Sequence, residues 1–329
     1  MQAFLNSPFH IGGLRLSNRL IQGPLAGFSC APFRQLFYQY TPPAYCVSEM
    51  ISAHDVLDKH QPDSRYLYRA PEERVLCYQL SGNDPFILAQ AADRVQALGA
   101  DLIDLNAGCP KPKIRKKGAG SALLDEPQRL FEMVRAVRQS ITIPLTVKLR
   151  IAGDERDVSI AQGLEQAGAD ALTVHGRRWT DDYDIACDFS YIARIKQAVR
   201  IPVIANGDIA DHATLAQAIA NTGCDAYMIA RAGSGHPWLY QQLLAESDTV
   251  LYRGHVERVA CFMQHLHGLA GLESEHQAVL QSKSLVRYYF KRVLNERQLQ
   301  VFYALSRLQA IEDYFTAGSF RHLQQGFAL

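Results

Sequence analysis

The 329-residue sequence has no long apolar run and almost no excess of charge. No stretch approaches the roughly 18–20 consecutive apolar residues of a transmembrane helix, which argues against a membrane protein. The opening segment, MQAFLNSPFHIGGLRLSN, lacks the basic-then-apolar order of a secretory signal. Because the formal net charge is only +1, a polyanionic partner would have to be met by a local concentration of positive charge.

The cysteines lack the arrangement of a disulfide framework or a zinc site. There are seven, an odd number, and no two of them form a Cys-x-x-Cys pair. They stand at positions 30, 46, 77, 109, 187, 224 and 261. This pattern favours free thiols in a reducing compartment. We therefore expect a cytoplasmic protein without a metal site.

What the sequence does contain is a series of short apolar runs separated by segments of helical period, such as Pro85–Leu98 and Pro127–Gln139. Most runs are too apolar to alternate, as parallel strands covered on both faces should be. The runs are Leu20–Gly23, Ala44–Val47, Val75–Leu80, Leu102–Leu105, Leu145–Leu149, Ala171–Val174, Val203–Ala205 and Ala226–Ile229. Gly-x-Asp triplets recur just before strands, at 99–101, 168–170 and 223–225, where a helix should end. Eight β/α units predict a TIM barrel, and the count disfavours the alternative of a doubly wound sheet.

The end of the chain has a different pattern. After Trp238 the strand signals stop, and the segment from about Arg253 to Leu329 reads as helix. Breaks fall near Gly271, Asn295 and Gly318. We place a boundary near Ser247, between an α/β barrel domain at 1–246 and a small all-α helical-bundle domain at 247–329. Since no low-complexity or Pro/Ser-rich linker separates them, the two parts are expected to pack directly.

Polar or glycine-rich residues follow each predicted strand. In a barrel, catalytic groups project from the carboxyl ends of the strands. One such residue alone would ordinarily be a loop residue or a solvated charge, but eight groups at one rim predict an active site. They are Pro24 to Gly27, Ser48 to Met50, Gln79, Asn106 to Pro110, Lys148 with Arg150, His175 to Arg177, Asn206 to Asp208, and Arg231 to Gly235.

The loops after strands seven and eight have the composition of a phosphate site. Barrels commonly bind phosphate there, through backbone N–H groups and a helix N-terminus. Glycine permits close backbone approach in Asn206-Gly207-Asp208 and in Ala230-Arg231-Ala232-Gly233, and Arg231 adds a bidentate donor. A phosphorylated cofactor or substrate is expected at this position.

The fourth strand ends in Asn106-Ala107-Gly108-Cys109-Pro110, which puts a thiol on a turn at the rim. A free cysteine has a pKa of ~8.5, so it is mostly protonated at neutral pH and can donate a proton. The alternative for Cys109 is a buried small hydrophobe, the commonest fate of cysteine. A basic loop follows, with Lys111, Lys113, Arg115, Lys116 and Lys117. The alternative for this loop is a solvated surface. For Cys109, the position at the rim favours a functional role over a buried structural one.

These motifs together resemble the tRNA-dihydrouridine synthases over roughly residues 15–240, and the helical tail resembles that family more loosely. The motifs are GPLAG (23–27), SEM (48–50), Gln79, NAGCP (106–110), GSALL (120–124), KLR (148–150), HGR (175–177), IANGDI (204–209) and GHPW (235–238). The resemblance is specific, because it requires Asn-x-Gly-Cys-Pro, His-Gly-Arg and Asn-Gly-Asp together in one sequence.

The resemblance implies an FMN enzyme that reduces the uracil C5–C6 bond in tRNA, with NADPH, or NADH in its place, as the reductant. It implies that Pro24, Leu25 and Ala26 lie along the isoalloxazine and that Gln79 and Lys148 bind its polar edge. It further implies that the ribityl and phosphate groups are held by His175, Asn206, Gly207, Asp208, Ala230 and Arg231. Cys109 would protonate C5 and Asn106 would help position the base. The catalytic set is therefore Cys109, Asn106, Lys148 and His175.

Three positions depart from the family pattern. Leu25 stands where methionine is usual, and Ala230 replaces a glycine before Arg231. The stretch from Tyr183 to Cys187 lacks an expected glycine, so this loop is expected to differ in shape and to bring a second thiol near the rim. Cys109 remains the predicted acid because its motif is intact.

The tail has the charge expected of an RNA-binding surface. Residues 281–329 hold seven Lys or Arg and three Asp or Glu. On a helix predicted from about Gln277 to Leu294, Lys283, Arg287 and Lys291 would form one basic stripe. The alternative is a solvated helix face; the basic loop at 111–117 favours tRNA. The pair His265 and His267 is expected to be structural or exposed. Side chains two residues apart on a helix do not face each other, so these two are poorly placed to bind one metal ion together.

Two other functions fit parts of this pattern. A flavin barrel that acts on a free pyrimidine would share the cofactor residues but would need no basic tail or lysine loop. A non-catalytic RNA-binding protein is disfavoured by the intact Cys109, Lys148 and His175. A monomer without an obligatory protein partner is expected, and the sequence does not reveal which D-loop uridine is modified.

Overall fold

In the computed structural model, which describes residues 1–245, 254–291 and 293–316, eight parallel strands close into a barrel. Each strand pairs with the next along the chain, and the last pairs with the first. The strands are β3 (Leu20–Gln22), β4 (Cys46–Ser52), β5 (Leu76–Ser81), β6 (Leu102–Ala107), β7 (Leu145–Arg150), β8 (Ala171–His175), β9 (Val203–Asn206) and β10 (Ala226–Ile229). This confirms the predicted TIM barrel, and each of the eight predicted strands overlaps an observed one.

The barrel helices cover the outside of the sheet. They are α2 (Ala31–Phe37), α3 (Ala53–Asp58), α4 (Pro85–Ala97), α5 (Pro112–Arg115), α6 (Pro127–Ser140), α7 (Arg156–Ala167), α8 (Phe189–Ala198), α9 (His212–Thr222) and α10 (Leu239–Leu244), after a short α1 (Gln2–Leu5). Every residue of β3, β5, β8, β9 and β10 is buried, which explains why these runs do not alternate between apolar and polar residues.

Two differences from the predicted strands concern β4 and the start of the chain. The predicted run Ala44–Val47 continues as β4 to Ser52 through an irregularity between Val47 and Met50, so Ser48 and Glu49 lie within the strand. A hairpin of β1 (Phe9–Ile11) and β2 (Leu14–Leu16) was not predicted, because three-residue strands give little periodicity.

The β1–β2 hairpin closes the amino-terminal end of the barrel. Its Phe9, Ile11 and Leu16 are buried in one cluster with barrel residues such as Cys77 and Met228. The Gly-x-Asp triplets lie at the same end, and their glycines have φ of +91°, +105° and +59°. Each aspartate accepts a hydrogen bond at 2.8 Å from the first N–H of the preceding strand: Asp101 from Leu76, Asp170 from Leu145 and Asp225 from Val203. The opposite, carboxyl end is therefore the end left for chemistry.

Beyond residue 253 the described chain is helical. The helices are α11 (His255–Leu272), α12 (Glu275–Tyr289), α13 (Glu296–Tyr303) and α14 (Leu308–Thr316). Their apolar faces form one cluster that includes Cys30, Leu36 and Trp238 from the barrel side. The predicted breaks at Gly271 and Asn295 match the end of α11 and the cap of α13. Ser247 and Gly318 lie outside the described residues, so the boundary stays a prediction.

Gly235, of the GHPW motif, allows the helical part to approach the barrel closely. Its φ is +69°, and a Cβ there would lie 2.6 Å from backbone atoms of Tyr288 and Tyr289.

Among the described helices none is long and apolar enough to cross a membrane. All seven cysteines are free thiols, as predicted.

Candidate active site

A half-buried lysine on β7 links two strands of the barrel. Lys148, on β7, donates a hydrogen bond from Nζ to Oδ1 of Asn206 on β9 at 2.9 Å. The Asn206 amide in turn donates to the Met228 carbonyl at 2.9 Å, which orients its oxygen toward the lysine. Burial lowers the pKa of Lys148 to about 8, and the nearby Asp104 opposes this shift. The ammonium is thus a poorly solvated cation that would favour an anionic group beside it.

Asp104, on β6, was not predicted as part of the site. Burial raises its pKa to about 6, although Thr146 Oγ1 at 2.6 Å and Gln79 Nε2 at 2.8 Å both donate to its carboxylate. The side-chain oxygen of Gln79, Oε1, accepts a hydrogen bond from Nδ2 of Asn106 at 2.9 Å. Gln79, predicted to meet a cofactor, is therefore held on both amide atoms by the protein. An acidic residue inside the apolar run Leu102–Leu105 was the signal that could have revealed Asp104.

Cys109 lies on a turn that is held from several directions. Asn106 Oδ1 accepts hydrogen bonds from the N–H groups of Gly108 at 3.2 Å and Cys109 at 2.9 Å. The Cys109 carbonyl accepts from both the N–H and the hydroxyl of Ser121 at 3.0 Å. Arg150 Nε donates to the Gly108 carbonyl at 3.1 Å. Asn106 thus shapes the turn that carries the half-buried thiol.

Gly120, in the GSALL motif, provides a first prediction about this turn. Its φ is +62°, and a Cβ there would lie 2.7 Å from the Cys109 carbonyl oxygen. We expect Gly120→Ala to displace the turn and to lower turnover by tenfold to about 10²-fold, since small misplacements of a reacting group have effects of this size. Steady-state rates would measure this.

Gly118→Ala is the matched control for Gly120→Ala. Gly118 has a φ of +69°, so the backbone strain is similar, but its nearest neighbour would be the Asn83 amide at 3.5 Å. If both variants lose the same activity, strain alone explains the loss and the contact with Cys109 does not.

His175 is the last residue of β8, and Arg177 lies two residues after it. Burial, then the charges of Lys148, Arg150, Arg177 and Arg231, lower the pKa of His175 to about 2. The imidazole is therefore neutral at physiological pH. These cations make the carboxyl end of the barrel electropositive, which suits an anionic ligand.

The Asn206-Gly207-Asp208 turn has two consecutive residues in the left-handed region. Gly207 has φ +120° and Asp208 has φ +52°, the one positive value for a non-glycine residue in the described chain. The Asp208 carboxylate accepts from Arg177 Nη2 at 2.7 Å and from the Cys187 N–H at 2.8 Å. Its carboxylate is thus committed to the protein, and its backbone is what remains for the predicted cofactor contact.

Cys187, the second thiol, does lie at the rim as expected. Its Sγ accepts from Arg177 Nη1 at 3.1 Å, and a Cβ on Gly207 would lie 2.2 Å from it. Burial and the Asp208 carboxylate raise the pKa of Cys187 to about 12. This thiol therefore fills space beside Gly207 and is a poor source of thiolate.

Arg231 lies at the start of a 3-10 helix, Arg231–Gly233, directly after β10 and Ala230. It is exposed, and its guanidinium stacks on the Tyr183 ring at 4.0 Å. Tyr183 belongs to the loop that departs from the family pattern, so this loop reaches the predicted phosphate position.

The loop after β3 carries Pro24, Leu25 and Ala26 to the same rim. The N–H of Gly27 donates to Oε2 of Glu49 at 2.5 Å, and Arg65 Nε donates to Oε1 of the same carboxylate at 2.7 Å. Arg65 also pairs with Glu273 at the end of α11. The ion pairs of Arg65 with Glu49 and with Glu273 were not predicted, because Arg65 lies far from every strand end in sequence.

The basic loop after Cys109 is only partly free. Lys111, Lys113, Lys116 and Lys117 are exposed. Arg115 is instead bound to Ser121 Oγ at 3.0 Å and to Asp125 at 2.8 Å. The prediction that Arg115 meets RNA phosphates is therefore at odds with its protein partners.

The predicted basic stripe on a helix from Gln277 to Leu294 is wrong at its end, because α12 stops at Tyr289. Phe290 ends the helix: it is buried and stacks on Phe315 with ring centroids 4.6 Å apart. Lys291 is exposed beyond the helix end, and Arg287 is exposed, with its Nε 2.6 Å from the Tyr303 hydroxyl.

Lys283 does not belong to an open surface. Its ammonium donates to the carbonyls of Phe302, at 3.2 Å, and of Leu305, so it caps the end of α13. The histidines behave as expected: His265 is buried with Nδ1 3.2 Å from the Tyr289 hydroxyl, and His267 is exposed.

Comparison with known proteins identifies the relatives of this chain. Residues 21–314 match the dihydrouridine synthase family. The tRNA-dihydrouridine synthase B of Vibrio vulnificus is 34% identical over 316 residues, covering 93% of this chain and 98% of that protein. The tRNA-dihydrouridine synthase B of Pseudomonas aeruginosa is 36% identical over 309 residues, covering 92% of each chain.

Solved structures show the same fold at low sequence identity. A 2-naphthoyl-CoA reductase complex has a TM-score of 0.59 at 14% identity, covering 74% of this chain and 52% of the reductase. An old yellow enzyme homologue from Zymomonas mobilis has a TM-score of 0.54 at 13% identity, covering 77% of this chain and 95% of that one.

Proposed function

This chain belongs to the dihydrouridine synthase family, and on that premise we propose that it reduces the C5–C6 double bond of a D-loop uridine in tRNA. FMN is the proposed cofactor and NADPH, or NADH in its place, the proposed reductant. The observation that carries the proposal is the Cys109 turn, which Asn106, Ser121 and Arg150 hold at the same barrel end as Lys148. We further propose that the protein acts as a cytoplasmic monomer.

The residues at the rim fit FMN. The left-handed turn at Gly207 and Asp208 presents backbone to a ligand, and Arg231 adds an exposed positive charge beside it. Pro24, Leu25 and Ala26 would line the isoalloxazine, with Gln79 at its polar edge. His175, Asn206 and Ala230 would contact the ribityl and phosphate groups. These residues lie in or directly after five different strands, so only the closed barrel brings them together.

Lys148 and Cys109 have separate roles in the proposed reaction. When bound, FMN supplies the hydride that goes to uracil C6. The Lys148 ammonium would stabilise negative charge at the polar edge of the ring system. Cys109 gives its thiol proton to C5, which completes the addition of two hydrogen atoms across the double bond. Asn106 acts by holding the turn that presents this thiol.

The proposal is tested with purified protein and a synthetic tRNA that carries no modifications. The protein should release FMN on denaturation and should form dihydrouridine in the tRNA when NADPH is present. Free uracil and uridine, offered at the same concentration, should not be reduced. A protein that reduces free uracil as readily as tRNA would instead be a small-molecule oxidoreductase, and a colourless protein without flavin would contradict the proposed cofactor.

A second prediction concerns Arg231. If its guanidinium binds the FMN phosphate, Arg231→Ala removes a charged hydrogen bond worth about 1.5–3 kcal/mol, or roughly 10- to 100-fold in Kd. Titration of flavin-free protein with FMN would measure the change. Arg194→Ala is the control, since Arg194 lies at the surface of α8 and pairs with Glu155 at 2.7 Å. Equal Kd values for Arg231→Ala and the control would refute the phosphate contact.

The exposed cations provide the proposed tRNA surface. Lys111, Lys113, Lys116 and Lys117 lie on the loop that follows Cys109, and Arg287 and Lys291 lie on the helical part. Arg115 and Lys283 are left out because both are half-buried and bound by protein groups. A folded RNA could contact both groups of cations while one nucleotide enters the barrel.

A third prediction tests the lysine loop. Changing Lys113, Lys116 and Lys117 to alanine should weaken tRNA binding and flatten its salt dependence, by ~0.9 in the log–log slope for each duplex phosphate that the loop no longer neutralises. Binding titrations at several salt concentrations would show this. The matched control replaces Arg15, Lys59 and Arg135, which are exposed elsewhere on the barrel. If both triple variants have the same slope, the loop makes no specific phosphate contacts.

A further inference from the structure

Trp179 is an exposed tryptophan in the loop after β8, and no motif accounts for it. It lies two residues after the His-Gly-Arg motif and is 41% exposed. The Arg115 guanidinium lies 3.7 Å from the centre of its ring system, close enough for a cation–π contact. One face of the indole is thus covered by a cation, so the exposed surface lies on the other face and the edges.

The Arg115–Trp179 pair is tied to the Cys109 turn from both sides. On one side, Arg115 donates to Ser121 Oγ at 3.0 Å, and Ser121 donates to the Cys109 carbonyl. On the other, Arg150 donates to the Gly108 carbonyl at 3.1 Å and to the Arg178 carbonyl, next to Trp179, at 2.7 Å. The indole therefore has a defined position relative to the thiol.

Arg115 is also held in place on the side away from the indole. Its second terminal nitrogen pairs with Asp125 at 2.8 Å, so the guanidinium is fixed by two polar partners while its face meets the ring. Because protein groups fix this cation, it can orient the indole before any RNA is bound. The loop that carries Arg115 also carries four exposed lysines, which add positive charge to this segment.

We propose that the open face of Trp179 stacks with an unpaired nucleobase of the tRNA next to the uridine that enters the barrel. This inference rests on the proposed function. A uridine that leaves its stack exposes the faces of its neighbours, and this unstacking has a free-energy cost. An aromatic ring at a fixed place beside the entrance would replace the missing stacking partner, and it would accept any base because every base has a π-face. Trp179 is then a positioning residue for the substrate.

The chain offers a direct optical test. It has only two tryptophans, and the other, Trp238, is 1% exposed in the core. Stacking of a base on an indole quenches its fluorescence, so titration with unmodified tRNA should quench the emission of Trp179. The Trp179→Phe variant, in which Trp238 is the only tryptophan, should show no such change in tryptophan emission. A blunt RNA duplex without unpaired bases, at a concentration where it binds, should quench neither protein.

Kinetics provide the second test. Stacking on an aromatic residue typically contributes enough that its removal by alanine weakens binding about tenfold per base. Trp179→Ala should therefore raise the KM for tRNA about tenfold with a much smaller effect on kcat, and Trp179→Phe should retain most of the affinity. Flavin content would verify that both variants are folded.

The two tests separate this inference from the proposed function. If the wild-type protein reduces tRNA but neither KM nor fluorescence depends on Trp179, the stacking contact is wrong and the function stands. If the wild-type protein binds tRNA with quenching but forms no dihydrouridine, the reaction is wrong and the contact stands. If tRNA binds without quenching, the contact is overturned whatever the activity.

Discussion

Replacement of Cys109 by alanine is expected to lower the rate of dihydrouridine formation by roughly 10²–10⁴-fold, the usual effect of losing a positioned general acid. Reduction of the flavin by NADPH should continue, because the thiol lies on the turn after β6 and not among the proposed phosphate and ribityl contacts. Single-turnover experiments with pre-reduced enzyme and unmodified tRNA would separate the two half-reactions.

Cys187→Ala is the control for the Cys109 variant. Cys187 is the other half-buried thiol at the rim. Its Sγ lies against Gly207 and accepts from Arg177, which gives it a packing role. Cys187→Ala should keep most of the activity. An inactive Cys187→Ala together with an active Cys109→Ala would reverse the assignment of the acid.

A second large effect is expected from Glu73→Ala. The side chains of Glu73 and Arg34 form an ion pair at 2.5 Å and are both fully buried. Arg34 also donates to the Ser29 carbonyl at 2.8 Å, and Ser29 in turn binds Leu25 in the loop that would line the flavin. Removal of one partner leaves a buried unpaired charge, which typically costs about 3–5 kcal/mol of folding free energy. Chemical denaturation would measure the loss.

The matched control removes both charges at once. In Arg34→Met combined with Glu73→Leu, no buried charge is left unpaired, so the double variant should be more stable than Glu73→Ala. It should still bind FMN less tightly than the wild type, because the hydrogen bond from Arg34 to the Ser29 carbonyl is absent. A double variant that is as unstable as Glu73→Ala would mean that packing, and not the unpaired charge, explains the loss.

The helical part was predicted less well than the barrel, and α12 shows why. Helical period and charge spacing placed Lys283, Arg287 and Lys291 on one stripe, but the helix ends at Tyr289. Phe290 can be buried against Phe315 only in the folded bundle, and Lys283 finds its carbonyl partners at the end of α13 only there. Tertiary packing therefore outweighed the local pattern, as it often does for helix ends.

The sequence by itself determined the barrel, its eight strands and the rim on which the candidate residues lie. Parallel strands buried on both faces require continuous apolar runs, and the residue after each run must then fall at the carboxyl end. Tertiary structure alone decided how these residues act on one another. Asp104 meets Gln79, Arg177 meets Asp208, and Arg115 meets Trp179 across gaps of 25, 31 and 64 residues. Such contacts depend on which strands and loops the closed barrel brings together. Local residue patterns do not encode which residues so far apart in sequence will meet.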